Sequence, residues 1–410
     1  MLSASLNNSV HSSVTLGLCF AIHFLLALDA LIIVPFSAQM ALSTHTTPAN
    51  SGLLVAVYAV TASLVCLWVR GGENVANESR KLISLLLAAA FFTLCAALLN
   101  SFYSLLVVRA LTGLCAGAAL VLNLNLVVLL SDHHNKKRNT AILLSTFPCA
   151  LAIGIPVLLF ITEHVGWQSS IFLLGCCLTI TALLFLLIFM QKHKRNIPAN
   201  VNHECQIKQN NNHLFNKKLS FALLFSFVVV MSTFIISTQF PVMLITNFSI
   251  SNTSLSYCYL LSGVCSFIVI QLYARSKFSN RTTSYLVYFL SGVMLLTVLV
   301  GFNTSRSTFS AALFILFIIA SSCRSMILVT ELIVALQAQE RSAFISLQNA
   351  IQHFAIAASG IFASLLVKTE DNQTLNFNTL VAVATLLISV TIVMWKHVNR
   401  LGHNFTSESQ

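Results

Sequence analysis

Charge is what this sequence has least of. Only 8% of its 410 residues are Asp, Glu, Lys or Arg, about a third of the ~25% typical of soluble domains, so water is not its main solvent. Signatures of catalysis are missing too. There is no Gly-x-Ser-x-Gly, no nucleotide-binding glycine loop and no His/Cys/Asp/Glu set with metal-ligand spacing, which leaves an enzyme reading without a site and calls for no cofactor or metal. Asp132, His133 and His134 do adjoin one another, but in a basic loop, where a solvated surface is the simpler reading. The 11 cysteines contain no CxxC pair and lie mostly in apolar runs, which argues against a disulfide framework. The adjacent Cys176 and Cys177 read as packing residues. Short alternating segments of the kind that build membrane β-barrels are absent, and the first 13 residues carry no Lys or Arg, unlike a cleaved signal peptide.

What is present is apolar and long. Mean hydropathy is +0.86, and the apolar residues fall into blocks near the ~20 residues a helix needs to cross a bilayer. Twelve can be counted, at roughly 14–40, 51–69, 82–99, 102–130, 140–161, 167–190, 219–246, 254–274, 284–302, 308–338, 342–367 and 378–395. The net charge of +11 would suggest nucleic acid in a soluble protein. Here the basic residues sit in short loops, so no nucleic-acid partner is expected and the bilayer is the partner. With both termini cytoplasmic, eighteen of the 22 Lys and Arg fall on the inside; only Arg306 and Lys368 fall outside, and Arg109 and Arg324 lie within blocks. That bias is a strong orientation signal, and shifting the count by one helix destroys it. The expected architecture is all-α and multi-pass, with twelve transmembrane helices in two six-helix bundles, 1–190 and 219–395. A polar, Asn-rich cytoplasmic linker at 191–218 joins them, and 396–410 forms a cytoplasmic tail. Two related halves with substrate held between them is a transporter plan.

Polar groups at membrane depth usually face a partner or a cavity. The ionisable ones are His23, Asp29, Arg109, Arg324, Glu331 and His353; Asn123, Asn125, Gln239, Gln348, Asn349 and Gln352 add neutral polarity. Counting ~1.5 Å per residue, Asp29 lies about 22 Å above the inner face and Arg109 about 20 Å in a ~30 Å core. Similar height and opposite charge predict that they pair, directly or through water, at one cavity. The alternative has Arg109 snorkelling outward and Asp29 bonded to backbone. Arg324 and Glu331 are seven residues apart, so they share a helix face; Glu331 fits a coupling role or a packing interaction equally. His353 reads as a structural histidine or a proton relay. Gly113 and Gly117, four apart, allow a neighbouring helix close. Gly154 and Pro156 place a kink in the fifth block.

Three stretches resemble the major facilitator superfamily, specifically its twelve-helix drug:proton antiporters and sugar-efflux permeases: LDALIIVPFSAQ (28–39), RALTGLCAGA (109–118) and AIGIPVLLFITEHVGWQSSIF (152–172). A fourth motif, the loop between helices 2 and 3, is eroded. GENVANESRK (72–81) keeps Gly72, Arg80 and Lys81 but has Ala76 at the family's aspartate and Ser79 at its second glycine. The resemblance implies a secondary active transporter working by alternating access. It would be a proton-coupled exporter of a small organic solute in a bacterial inner membrane, with helices 1, 4, 7 and 10 around a central cavity. Asp29 is then the first candidate for the proton site and Glu331 the second. Arg109 either binds an anionic or zwitterionic substrate or sets the proton affinity of Asp29; Gln39, Asn123, Gln239, Arg324 and His353 are further candidates. Gly72, Arg80, Lys81, Gly113, Gly117, Gly154 and Pro156 fall to gating and helix packing. Proton-coupled uptake of a metabolite or of an iron-carrying small molecule is the alternative direction. A receptor-like paralogue that transports nothing is the alternative class.

Overall fold

A backbone inside hydrocarbon must satisfy its own N–H and C=O groups, and this chain does so almost entirely with helices. The computed structural model describes residues 2–407 apart from 70, 71, 73, 132–134, 195–216, 277, 336–337 and 371–373. The helices are α1 (Leu2–Ser43), α2 (Gly52–Trp68), α3 (Val75–Leu98), α4 (Phe102–Leu130), α5 (Lys136–Cys149), α6 (Ile155–Val165), α7 (Trp167–Lys194), α8 (Lys217–Ser237), α9 (Phe240–Thr246), α10 (Asn252–Arg275), α11 (Asn280–Gly301), α12 (Ser307–Ala335), α13 (Ala338–Leu366) and α14 (Asn378–Ser407). Among the described residues, twelve stretches are long and apolar enough to cross a membrane, one for each apolar block. α5 and α6 together make the fifth span, and α8 and α9 the seventh. The loop histidines His133 and His134 and most of the 191–218 linker lie outside the described residues.

Among the described residues the second span opens on a 3-10 turn, Pro48–Ser51, and two further spans depart from a plain α-helix in their interior. In the fifth, α5 and α6 are joined by a π-helical turn, Ala150–Gly154. Pro156 has no N–H to donate, and the turn before it widens: the N–H of Ile155 reaches back to the carbonyl of Ala150. Beside the turn, the Ser256 hydroxyl of α10 donates to the Pro156 carbonyl of α6 at 2.8 Å. The expected kink is therefore a π turn. In the seventh span, Pro241 cannot donate to the Ser237 carbonyl, and the helix breaks at Thr238–Gln239 between α8 and α9. Hydropathy alone shows one uninterrupted block there. A short antiparallel hairpin, Lys368–Thr369 with Leu375–Asn376, connects the last two spans. The Asn247 side chain holds it, donating to the Leu375 carbonyl at 2.9 Å and accepting from the Leu375 N–H at 3.0 Å.

The helices pack as two groups of six spans. In the first, α4 packs on α2 and α3, while α7 packs on α3 and α1. In the second, α8 packs on α13 and α14, while α12 packs on α10 and α11. The groups meet where α2 lies along α13 and α6 lies along α10. Small residues set these approaches. A Cβ on Gly52 would stand 2.6 Å from the Gly360 carbonyl, and one on Gly263 would collide with Ala152 of the π turn. Polar bonds add to the seam: Ser63 donates to the Ala350 carbonyl at 2.9 Å, and Gln39 Nε2 donates to Asn252 Oδ1 at 2.5 Å.

Candidate functional site

The site begins with one carboxylate and one guanidinium, each 1% exposed. Arg109 Nη1 lies 3.2 Å from Asp29 Oδ1 and 3.3 Å from Oδ2. Nη2 donates to the Asp29 backbone carbonyl at 3.2 Å, using that oxygen's second lone pair. Thr93 of α3 donates its hydroxyl to Asp29 Oδ1 at 3.3 Å. On the far side, the Tyr58 ring of α2 lies 4.5 Å from Arg109 Cζ, within cation–π range. The pair thus ties together α1, α2, α3 and α4.

Local sequence explains the fit. Gly113 follows Arg109 by one turn of α4, and a Cβ there would collide with the Tyr58 carbonyl and the Thr61 hydroxyl. The missing side chain lets α2 come close enough for Tyr58 to cover the guanidinium. On the other side, Gly154 leaves room for Leu28, the residue before Asp29; a Cβ would meet Leu28 Cδ1 at 2.7 Å. The structure accordingly brings Asp29 and Arg109 into direct contact and gives the two glycines of α4 a named neighbour, α2. Removing one member of such a buried pair leaves the other charge uncompensated, at a cost of about 3–5 kcal/mol.

The remaining candidates are scattered. Asn123 is fully buried and donates Nδ2 to the Cys19 carbonyl at 2.8 Å, a second tie between α4 and α1. Gln239 is also fully buried, in the α8–α9 break, and neither amide atom has a partner among the described residues. Glu331 is half-buried and accepts the Tyr273 hydroxyl at 2.9 Å; His353 is half-buried on α13. Arg324 is fully buried. Its Nη2 donates to Ser232 Oγ at 2.7 Å and to Thr233 Oγ1 at 3.4 Å, both on α8. Arg324 and Glu331 share α12 and do not pair with each other.

One residue escaped the motif reading of the 72–81 loop. Glu78 is 1% exposed although it opens the third span. It accepts from Asn125 Nδ2 at 3.2 Å and pairs with Lys81 at 3.4 Å. Asn125 also donates to the Gly72 carbonyl at 2.8 Å, and a Cβ on Gly72 would stand 3.0 Å from Glu78 Oε1. The buried acid of this loop therefore stands two positions after Ala76. Its burial shows only in the bond from Asn125 across the helices, which spacing along the sequence does not reveal. Arg80 is exposed, its guanidinium 6.0 Å from the Phe189 ring.

Comparison with known proteins agrees with this architecture. The sequence profile described as Major Facilitator Superfamily matches residues 19–360. Among solved structures, a bacterial homologue of the human lysosomal transporter Spinster, in an inward-facing and unoccupied conformation, superposes with a TM-score of 0.65 at 11% identity, over 96% of each chain. The same protein in an inward-facing and occupied conformation gives 0.66 at 10% identity, over 96% of this chain and 97% of that one. The peptide transporter POT in complex with sulfate gives 0.65 at 13% identity, over 94% of this chain and 95% of that one. At these identities the structural likeness establishes the fold, and the profile match establishes the family. With twelve apolar helices, the chain belongs to the major facilitator superfamily and is a multi-pass membrane transporter, not an enzyme.

Proposed function

We propose that the protein is a proton-coupled secondary transporter that exports a small organic solute across a bacterial inner membrane, with Asp29 as the proton-carrying group. The bundles 1–190 and 219–395 rock about the seam between them, with the linker 191–218 and the tail 396–410 on the cytoplasmic side. The observation that carries the reading is the closed Asp29–Arg109 pair. Protonating Asp29 removes the negative charge that compensates Arg109 inside a low-dielectric bundle, where an unpaired charge costs several kcal/mol. Thr93, Tyr58 and the Asp29 carbonyl stay as neutral neighbours, which compensate a full charge only in part. Protonation therefore favours any arrangement of α1 and α4 that hydrates Arg109, and that is how a proton biases a two-state transporter. In this role Arg109 sets the proton affinity of Asp29. Export as the direction rests on the resemblance of 28–39 and 109–118 to efflux proteins.

The test is proton movement in proteoliposomes that enclose a pH-sensitive dye, with a compound panel added under an imposed pH gradient. The expected result is a compound-dependent proton flux that Asp29→Asn abolishes. Compound flux through Asp29→Asn with unchanged pH dependence would remove Asp29 from the coupling. No flux with any compound would favour the receptor-like reading, and flux following the proton inward would favour uptake.

A further inference from the structure

Arg324 is the one fully buried arginine that no carboxylate pairs with among the described residues. Its Nη2 is engaged by two hydroxyls, but Nε and Nη1 have no acceptor among the described residues and no exposed surface. A guanidinium has five N–H donors and stays charged in proteins, so the Nε–H and both Nη1–H are left without partners. Hydroxyl oxygens supply dipoles and no charge. Ser232 already donates to the Val229 carbonyl at 2.8 Å, so the oxygen it offers Arg324 is held in place. Thr233 is similarly turned to the Val229 carbonyl at 3.3 Å and lies 3.5 Å from Ser325. Glu331, the nearest acid along α12, is engaged by Tyr273. An uncompensated buried charge is costly enough that structures pair it or give it an ion. Arg109 cannot serve an incoming anion in the same way, because Asp29 already neutralises it.

We propose that Arg324, with Ser232 and Thr233 fixing its orientation, is an anion site for a carboxylate or phosphate group, carried by the transported solute. This rests on the transporter reading and adds the substrate class to it. The anion accepts from Nε and Nη1, supplies the missing negative charge, and bridges α12 to α8. The site is closed in this conformation, so binding and release require these two helices to part.

The test is thermal unfolding of the purified full-length protein in a nonionic detergent, titrated with sodium acetate, phosphate or sulfate against chloride at constant ionic strength. A parallel series adds phosphatidylglycerol or phosphatidylcholine. The expected result is a saturable rise in Tm of roughly 2–5 °C in the wild type that Arg324→Gln lacks. A response to the soluble anions identifies a free acidic solute; a response to phosphatidylglycerol alone assigns the same site to a lipid headgroup. Arg324→Lys keeps the charge and guards against a Gln variant that does not fold; it should retain a weakened, still saturable response. Wild-type curves that track Arg324→Gln in every series, or that rise linearly without saturation, overturn the site. Proton movement through Asp29 is read separately in proteoliposomes. A missing anion response beside intact proton coupling defeats this inference alone, and the converse defeats the coupling reading alone.

Discussion

Arg109 and Arg324 occupy the fourth span of their respective halves, and each reaches to the first span of its own half: α4 to α1 in one case, α12 to α8 in the other. The scaffold is repeated, but the chemistry at the contact is not. In the first half the arginine meets a carboxylate, the backbone carbonyl of the same residue and an aromatic face, and only its Nε has no partner among the described residues. In the second half it meets two hydroxyls and leaves donors unused. A compensated charge holds helices together and can be switched by a proton. An uncompensated one holds helices less firmly and waits for a ligand. On the proposed function and the proposed anion site, the difference divides the work between the halves, with coupling in the first and recognition in the second.

The comparison can be broken at either end. The largest effect is expected from Asp29→Ala, which strands Arg109 in the bundle and should lower stability by about 3–5 kcal/mol, read by thermal or denaturant unfolding in detergent. Next is Ser232→Asp, which gives Arg324 the kind of partner that Arg109 has. It should raise the anion-free Tm and abolish the response to added anions; an unchanged anion response would show that Arg324 is not the group that binds them. Gly113→Val drives side-chain atoms into the Tyr58 carbonyl and should cost about 1–3 kcal/mol as overpacking, with reduced proton movement because Tyr58 is displaced from Arg109. The smallest effect is expected from Gln39→Ala. It removes one hydrogen bond across the halves, worth about 0.5–1.5 kcal/mol, and should change transport rate more than stability.

Much of this was legible from residue order. The spans could be counted because apolar runs and basic loops alternate, and a helix in lipid has few other ways to satisfy its backbone. Asp29 and Arg109 could be matched because helical rise converts sequence position into height. The contrast between the arginines could not be read, since it depends on what α8 presents to Arg324, and Ser232 and Thr233 look unremarkable within their apolar run. The break before Pro241 and the π turn before Pro156 are backbone adjustments that hydropathy averages away. Glu78 was obscured because the motif puts its acid two positions earlier. The Gln39–Asn252 bond joins residues from different halves, and no local pattern relates them.

The most direct test of the contrast is the unfolding midpoint of Arg109→Met and Arg324→Met, measured side by side in nonionic detergent without added anions. Removing Arg109 strands Asp29, so its midpoint should fall by several degrees. Removing Arg324 takes away an uncompensated charge, and replacing buried ionic groups with apolar ones is often neutral or stabilising, so its midpoint should hold or rise. Two variants that fall equally would contradict the account, because Arg324 would then be as firmly paired as Arg109.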